Sequence, residues 1–313
     1  MKILLTTTSF VDTPGSHQEL LKKSKYELDI LRGPLKKEVL LPIISKYDGV
    51  ICGDDEFTKK VLFNGKNGSL KVISKYGIGL DKIDLKAANE YKIPVFNTPG
   101  VNHIAVSEHI IALIFAYYKN IHLEHQITQH GKWDRLIGNE VYGKKIGILG
   151  FGRIGKELLK RTEAMGMNTI VYDPYVDQKY LNNNNISFAR TLEDLIQNDL
   201  DILALTLPLT DSTNGIINVD LINKAKKNMV IVNTSRAFIV DQESLIYLLQ
   251  QKKIKAYLTD VLEEEPMIKD HPLLKFNNVI ITPHIGSRTY ESVQRQGTMA
   301  VNNLLKFLNK WEK

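Results

Sequence analysis

The sequence predicts an α/β protein built as two doubly wound parallel-sheet domains, and three observations carry that prediction. Short runs rich in β-branched residues alternate with helical or loop-like stretches almost from end to end. The strands of the second half are apolar along their whole length, as strands are when helices cover both faces of their sheet. The 313 residues suffice for two domains at about 150 residues each.

In chain order, the first set of strands is KILLTT from Lys2, YELDIL from Tyr26, GVICG from Gly49, KVISKYG from Lys71 and IPVFNT from Ile93. Helical or loop-like segments such as 12–24 and 34–46 separate them. HIAVSEHIIALIFAYYKNI, from His103, is apolar nearly all round and predicts a buried helix. Residues 121–142 mix polar and aromatic side chains without a clear period, as in an arm that packs on a second subunit, so a homodimer is expected. The second set of strands is KIGILG from Lys145, NTIVYD from Asn168, ISF from Ile186, DILALTL from Asp201, NMVIVNT from Asn228, KAYLTDV from Lys255 and NVIITP from Asn278. Asn182 to Asn185 reads as a turn or loop. From Tyr290 to Lys313, helical spacing of Val293, Gln296, Ala300, Leu304 and Leu308 predicts a final helix that buries its apolar face against the first domain. The expected domains are therefore 1–98 plus 287–313, and 99–286, with an interdomain cleft that closes on substrate.

Composition removes several function classes. Hydrophobic residues make up 43% and charged residues 24%, which excludes a disordered or fibrous chain. The formal charge is +6, and the basic residues lie in scattered pairs: Lys22-Lys23, Lys59-Lys60, Lys144-Lys145, Lys226-Lys227 and Lys252-Lys253. No aromatic residues interleave with them, so nucleic acid is not an expected partner. Cys52 is the one cysteine, so no intrachain disulfide forms and a reducing, cytoplasmic location is expected. MKILLTTTSF reads as a strand and not a signal peptide. The most apolar stretch, Ile110 to Ala116, is too short to span a bilayer, so no membrane association is expected.

The most informative stretch is KKIGILGFGRIGKELLKRTEAMGMNTIVYD, which reads strand, GxGxxG, helix, strand, acid. Gly150 permits the tight turn, Gly152 lets a pyrophosphate approach the backbone, and Gly155 lets the helix lie close to the sheet. The helix N-terminus offers unpaired N–H groups and a positive dipole end to phosphate. The Asp173 carboxylate can accept from the adenosine ribose hydroxyls and would repel a 2′-phosphate, which favours NAD over NADP. A glycine-rich turn without a ligand does not account for the three glycines and the acid together.

Three further residues follow strand ends, where ligands meet an open parallel sheet. They are Arg236 after NMVIVNT, Glu265 in DVLEEEP and His284 in TPHIGS. Each has a plain alternative: a surface cation, a solvated glutamate run, a structural histidine. As a set they supply what nicotinamide chemistry on a hydroxy acid needs, namely a cation for the carboxylate, an acid/base and a carboxylate to hold that base. His122, His125 and His130 with Glu124 lack any HExxH or cysteine support, so no metal is expected. His103 and His109 read as structural, and Cys52 as a small buried apolar group.

In combination with KYGIGLDKIDLKAANEYKIPVFNTPGVNHIAVSEH, GKWDRLIGNEVYGKKIGILGFGRIG, LTLPLT, NTSRAFIVD, TDVLEEEP and TPHIGS, the chain resembles the D-isomer-specific 2-hydroxyacid dehydrogenase family. That family includes phosphoglycerate dehydrogenases, hydroxypyruvate and glyoxylate reductases and D-lactate dehydrogenases. The resemblance covers nearly the whole chain and implies two Rossmann-like domains. It places the catalytic Arg, Glu and His at Arg236, Glu265 and His284. It also implies that Arg153 and Ile154 contact the pyrophosphate, that Thr206, Pro208, Thr234 and Asp260 line the cofactor, with Arg236 and His284 beside it, and that the loop Tyr76-Gly77-Ile78-Gly79 offers N–H groups to the substrate carboxylate. Hydride then passes between substrate C2 and nicotinamide while His284 exchanges the hydroxyl proton. Lys75 precedes that loop and matches a place where relatives hold a phosphate, but Gly53 to Phe57 (GDDEF) puts acids where a basic residue often lies. 3-Phosphoglycerate is the first expected substrate, slightly ahead of hydroxypyruvate, glyoxylate or another 2-keto acid. Two alternatives are similar in sequence: an NAD-sensing co-repressor-like binding module, and a formate dehydrogenase, whose His pairs with Gln where this chain has Glu265.

Overall fold

Alternation along the strands decides how the first sheet is covered. The computed structural model describes residues 1–225 and 229–312 and separates two units, Met1–Asn102 with Arg288–Lys313, and His103–Ser287. The first holds strands β1 (Lys2–Leu5), β2 (Glu27–Ile30), β3 (Gly49–Cys52), β4 (Val72–Lys75) and β5 (Val95–Phe96), all parallel, in the order β2-β1-β3-β4-β5. Ile3, Leu5, Ile51 and Val72 join one core with the final helix Tyr290–Trp311. Leu4, Val50, Cys52 and Ile73 join the opposite core with Val61 and Leu62 of the helix Lys59–Lys66. The final helix buries Val293, Gln296, Ala300, Leu304 and Leu308, the five positions its spacing predicts. Its first turn is capped by the Thr289 hydroxyl, which accepts from the Ser292 N–H at 3.2 Å.

The unit boundary lies at 102/103, four residues later than the sequence expectation of 98/99. Hydrogen bonds explain the shift. The Thr98 N–H donates to the Gly77 carbonyl (3.0 Å), the Asn303 amide to the Asn97 carbonyl (3.0 Å) and the Arg295 Nε–H to the Val101 carbonyl (2.9 Å), so 97–102 stays with the first unit. The second boundary is 287/288, one residue beyond the expected 286/287.

The second unit holds β6 (Lys145–Leu149), β7 (Asn168–Tyr172), β8 (Ile202–Leu205), β9 (Val230–Asn233), β10 (Ala256–Thr259) and β11 (Val279–Ile281), parallel throughout, in the order β7-β6-β8-β9-β10-β11. The strand expected at Ile186 to Phe188 shrinks to one bridge, Phe188 to Val171. The Val171 N–H donates to the Ser187 carbonyl and the Ala189 N–H to the Val171 carbonyl, so this remnant lies outside β7. Counting it, strand order reverses between β6 and β8, the switch point where a doubly wound sheet opens a crevice at its strand ends.

The helix His103–Tyr118 buries Val106, Ile110, Ile111, Leu113, Ile114 and Tyr118 in a core shared with Leu158 and Leu159 of the helix Arg153–Ala164. Next comes a helix at Ile121–Gln129 that buries none of its residues, which is why 121–142 shows no apolar period. Trp133 and Ile137, beyond it, are 77% and 95% exposed. Among the described residues no helix is long and apolar enough to cross a membrane. Lys226 and Lys227, the start of the expected strand at Asn228, and Lys313 lie outside the described residues.

Candidate active site

The glycine turn after β6 is tight for a reason internal to the protein. Gly150 has φ +97°, and a Cβ there would lie 2.8 Å from the Thr206 backbone and 2.9 Å from the Leu207 nitrogen. A Cβ on Gly155 would collide with the Gly150 carbonyl. Gly152 differs: a Cβ there would meet nothing within 4 Å. The fold leaves that space open and of itself makes no demand for glycine there. Gly152 is the N-cap of the helix Arg153–Ala164 and gives no side-chain cap, which leaves the first-turn N–H groups without a side-chain partner.

Asp173, at the end of β7, accepts from the Phe151 N–H (2.8 Å) and the Tyr175 N–H (2.9 Å). It therefore also ties the glycine turn to the neighbouring strand. It lines a cavity of about 180 Å³ with Pro174, Val176, Phe188 and Arg190, and that arginine was not expected. Thr206 closes the turn from β8, donating its hydroxyl to the Gly150 carbonyl at 2.6 Å. Pro208 is exposed, and its carbonyl accepts from the Thr213 hydroxyl. Past the end of β9, the Thr234 Oγ1 is buried with no hydrogen-bond partner, a loss of about 1–3 kcal/mol unless a ligand supplies one. The open space at Gly152, the uncapped helix and this hydroxyl together fit a bound dinucleotide.

Arg236, Glu265 and His284 follow β9, β10 and β11, three adjacent strands in the sheet. Strand spacing puts the outer two roughly 10 Å apart at their roots. The Arg236 turn is held from beneath by fully buried Asn233, whose amide donates to the Arg236 carbonyl (2.9 Å) and the Tyr257 hydroxyl (3.0 Å) and accepts from the Ser235 N–H (3.0 Å). The Arg236 guanidinium donates to the Ser235 carbonyl at 2.7 Å. His284 Nδ1 and Glu265 Oε2 are 2.7 Å apart, and Glu265 Oε1 accepts from the Leu262 N–H at 3.0 Å.

His284 has φ +53°, unusual for a residue with a Cβ and worth about 1–3 kcal/mol of strain. Asp260 holds it there. This carboxylate is 2% exposed and accepts from the Thr282 hydroxyl (2.6 Å) and the N–H groups of Ile285 (2.8 Å) and Gly286 (2.7 Å). His109 Nε2 lies 3.4 Å from it and 2.9 Å from Thr282 Oγ1. Burial pushes the Asp260 pKa up, but hydrogen bonds from His109, Thr282 and the Ile285 N–H outweigh it and hold the carboxyl below the usual range. Asp260 was expected to line a cofactor and His109 to be structural; together they clamp the segment that carries His284.

In the first unit, two of the four N–H groups expected at 76–79 are already used. Tyr76 donates to the Cys52 carbonyl and Gly77 to the Thr98 hydroxyl, both at 2.8 Å. Among the described residues the N–H groups of Ile78 and Gly79 have no acceptor, so the donor loop narrows to these two. Lys75 is buried, with its Nζ 2.8 Å from Asp54 Oδ1. Asp55 is buried beside it and accepts from the Thr6 hydroxyl and the N–H groups of Leu35 and Gly53. Burial raises its pKa against those bonds. Among the described residues no group of three or more His, Cys, Asp or Glu could hold a metal. His122 and His130 each place Nδ1 against a helix carbonyl.

Residues 111–286 match the model for the NAD binding domain of D-isomer specific 2-hydroxyacid dehydrogenases. The chain is 36% identical over 300 residues to the D-3-phosphoglycerate dehydrogenase of Methanocaldococcus jannaschii, covering 95% of this chain and 56% of that protein. It thus spans little more than half the length of that relative. Identity to the hydroxypyruvate reductase of Thermotoga maritima is 37% over 293 residues, covering 92% and 94% of the two chains. Among solved structures, NAD+-bound 3-phosphoglycerate dehydrogenase in Entamoeba histolytica superposes with a TM-score of 0.81 at 30% identity, covering 99% and 96%.

Proposed function

Because the chain belongs to the D-isomer-specific 2-hydroxyacid dehydrogenase family, we propose that it is an NAD-dependent oxidoreductase acting on C2 of a 2-hydroxy or 2-keto acid. The observation that carries this reading is the 2.7 Å pairing of His284 with Glu265, next to the strand end that bears Arg236.

NAD, when bound, accepts the hydride in oxidation and its reduced form donates it in reduction. Gly152 and the helix N-terminus at Arg153 and Ile154 would take the pyrophosphate, with Gly150 and Gly155 shaping the turn beneath it, and Asp173 would take the ribose hydroxyls. Thr206, Pro208 and Thr234 would line the rest of that site, with Asp260 behind them holding the His284 segment. Arg236 grips the carboxylate and the 2-oxygen with its planar fork, which Lys cannot reproduce. In oxidation His284 Nε2 removes the hydroxyl proton, and in reduction it returns one. Glu265 accepts from Nδ1–H, fixes the tautomer and stabilises the imidazolium.

3-Phosphoglycerate is the first substrate we propose, in line with the name of the Methanocaldococcus relative. The Lys75–Asp54 pair favours a second reading, an unphosphorylated acid such as hydroxypyruvate or glyoxylate, because the charge that would attract a phosphate is met within the protein. We further propose a cytoplasmic homodimer, supported by the buried lone thiol and by the exposed Ile121, Trp133, Leu136, Ile137 and Tyr142 of the arm. The test is NADH oxidation with a panel of 2-keto acids, with and without a terminal phosphate. Turnover of at least one is expected. NADH binding without turnover of any would favour the binding-module alternative.

A further inference from the structure

We infer that Glu263 and His271 are a positioning pair that holds Glu265 against His284. This rests on the roles just given to Glu265 and His284. The chain after β10 carries three consecutive glutamates, Glu263, Glu264 and Glu265. Glu264 is exposed, while Glu263 and Glu265 are half-buried and each meets a histidine. Glu265 takes His284, and Glu263 Oε1 lies 3.1 Å from His271 Nε2.

His271 is fixed from both sides. It is 3% exposed, and its Nδ1 accepts from the N–H of Leu273, itself buried in the core. With Nδ1 accepting, the ring proton sits on Nε2 and is donated to Glu263. A line of support thus runs from Leu273 through His271 to Glu263, two residues from Glu265. Pro266 to Asp270 are exposed. Among the described residues, no other hydrogen bond joins 263–270 to the rest of the unit apart from the contacts of Glu265 with His284 and with the Leu262 N–H. Removing the Glu263–His271 bond therefore leaves Glu265 held only by its own contacts with His284 and the Leu262 N–H, with no anchor from the core beside it. Catalytic groups lose rate when displaced by fractions of an ångström.

The test uses the full chain with NADH and whichever 2-keto acid the wild type reduces. Rates are taken per NADH-binding site, titrated by fluorescence, so that a misfolded fraction does not count as slow enzyme. Glu263→Ala is expected to lower kcat per site roughly tenfold with NADH affinity unchanged. Glu263→Gln, whose amide oxygen still accepts from His271, is expected to restore most of it. His271→Asn provides the second arm. Its Oδ1 can replace Nδ1 in capping Leu273, but it is too short to reach Glu263, so it should behave like Glu263→Ala. In proton NMR, the downfield signal of the hydrogen shared by His284 and Glu265 should weaken in Glu263→Ala and His271→Asn and persist in Glu263→Gln. Wild-type kcat per site with an unaltered signal in both disrupting variants overturns the inference, as does a Gln variant as impaired as the Ala variant. A wild type inactive on every 2-keto acid would instead defeat the proposed function, and the NMR signal would still report on the pair.

Discussion

Replacing Asp260 with Asn tests how the unusual backbone at His284 is held. The carboxylate receives the Thr282 hydroxyl and the Ile285 N–H on Oδ1, and the Gly286 N–H on Oδ2. An amide can accept on one side only, so its NH2 must face donors on the other. One buried donor left unmade costs about 1–3 kcal/mol, and losing the charge on the remaining bonds adds to it, for a total of about 2–4 kcal/mol. For a unit of this size each kcal/mol lowers Tm by about 2–4 °C, so a fall of roughly 5–15 °C is expected. His284, no longer clamped at φ +53°, should relax and kcat should fall with it. The pH dependence has a definite sign. Asp260 is held below the usual carboxylate range, so its contribution is present above the unfolded-state pKa of about 3.9 and is lost as pH falls through the lower folded value. The gap between wild type and variant should be flat from neutral pH down to mildly acidic pH and close only in stronger acid. Urea unfolding across pH measures it. A variant within about 0.5 kcal/mol of wild type at pH 7 would refute the clamp.

The glycine turn yields a pair of contrasting variants. Gly152→Ala should unfold like wild type, because its methyl meets nothing in the protein, yet bind NADH far more weakly. Gly155→Ala should lose stability as well, because its methyl meets the Gly150 carbonyl; thermal melts paired with NADH titration separate the two. Arg236→Lys should keep NADH affinity but lose about a hundredfold in kcat/KM, the order of effect when one preorganised charge-stabilising donor is lost. Cys52 is fully buried, and burial pushes its thiol pKa well up, so the native protein should resist alkylation while the denatured chain reacts at one site; rapid native labelling would contradict its placement.

Sequence periodicity carried the features that depend on local repetition. Among the described residues the eleven strands of the two sheets fall within the runs rich in apolar and β-branched residues, and the final helix buries the residues its spacing selects. The glycine fingerprint and the three residues at strand ends were also legible, because each sits at a fixed offset from a strand. What escaped was set by partners far apart in sequence. Asp260 meets His109, and Asn233 meets Tyr257, through bonds that no period announces. The donor loop at 76–79 read as four groups because its acceptors, Cys52 and Thr98, lie on neighbouring segments. The glutamate run looked like a solvated face because its two histidines lie eight and nineteen positions downstream of the glutamates they meet.

In the proposed reaction hydride moves between nicotinamide and C2 while His284 handles the proton. The direct test is to reduce a 2-keto acid with NADH carrying deuterium at both C4 positions and follow the label. Deuterium is expected at C2 of a product with the D configuration, and His284→Asn should bind NADH as well as wild type while forming almost none. Label absent from C2, or a His284→Asn enzyme that turns over like wild type, would contradict it.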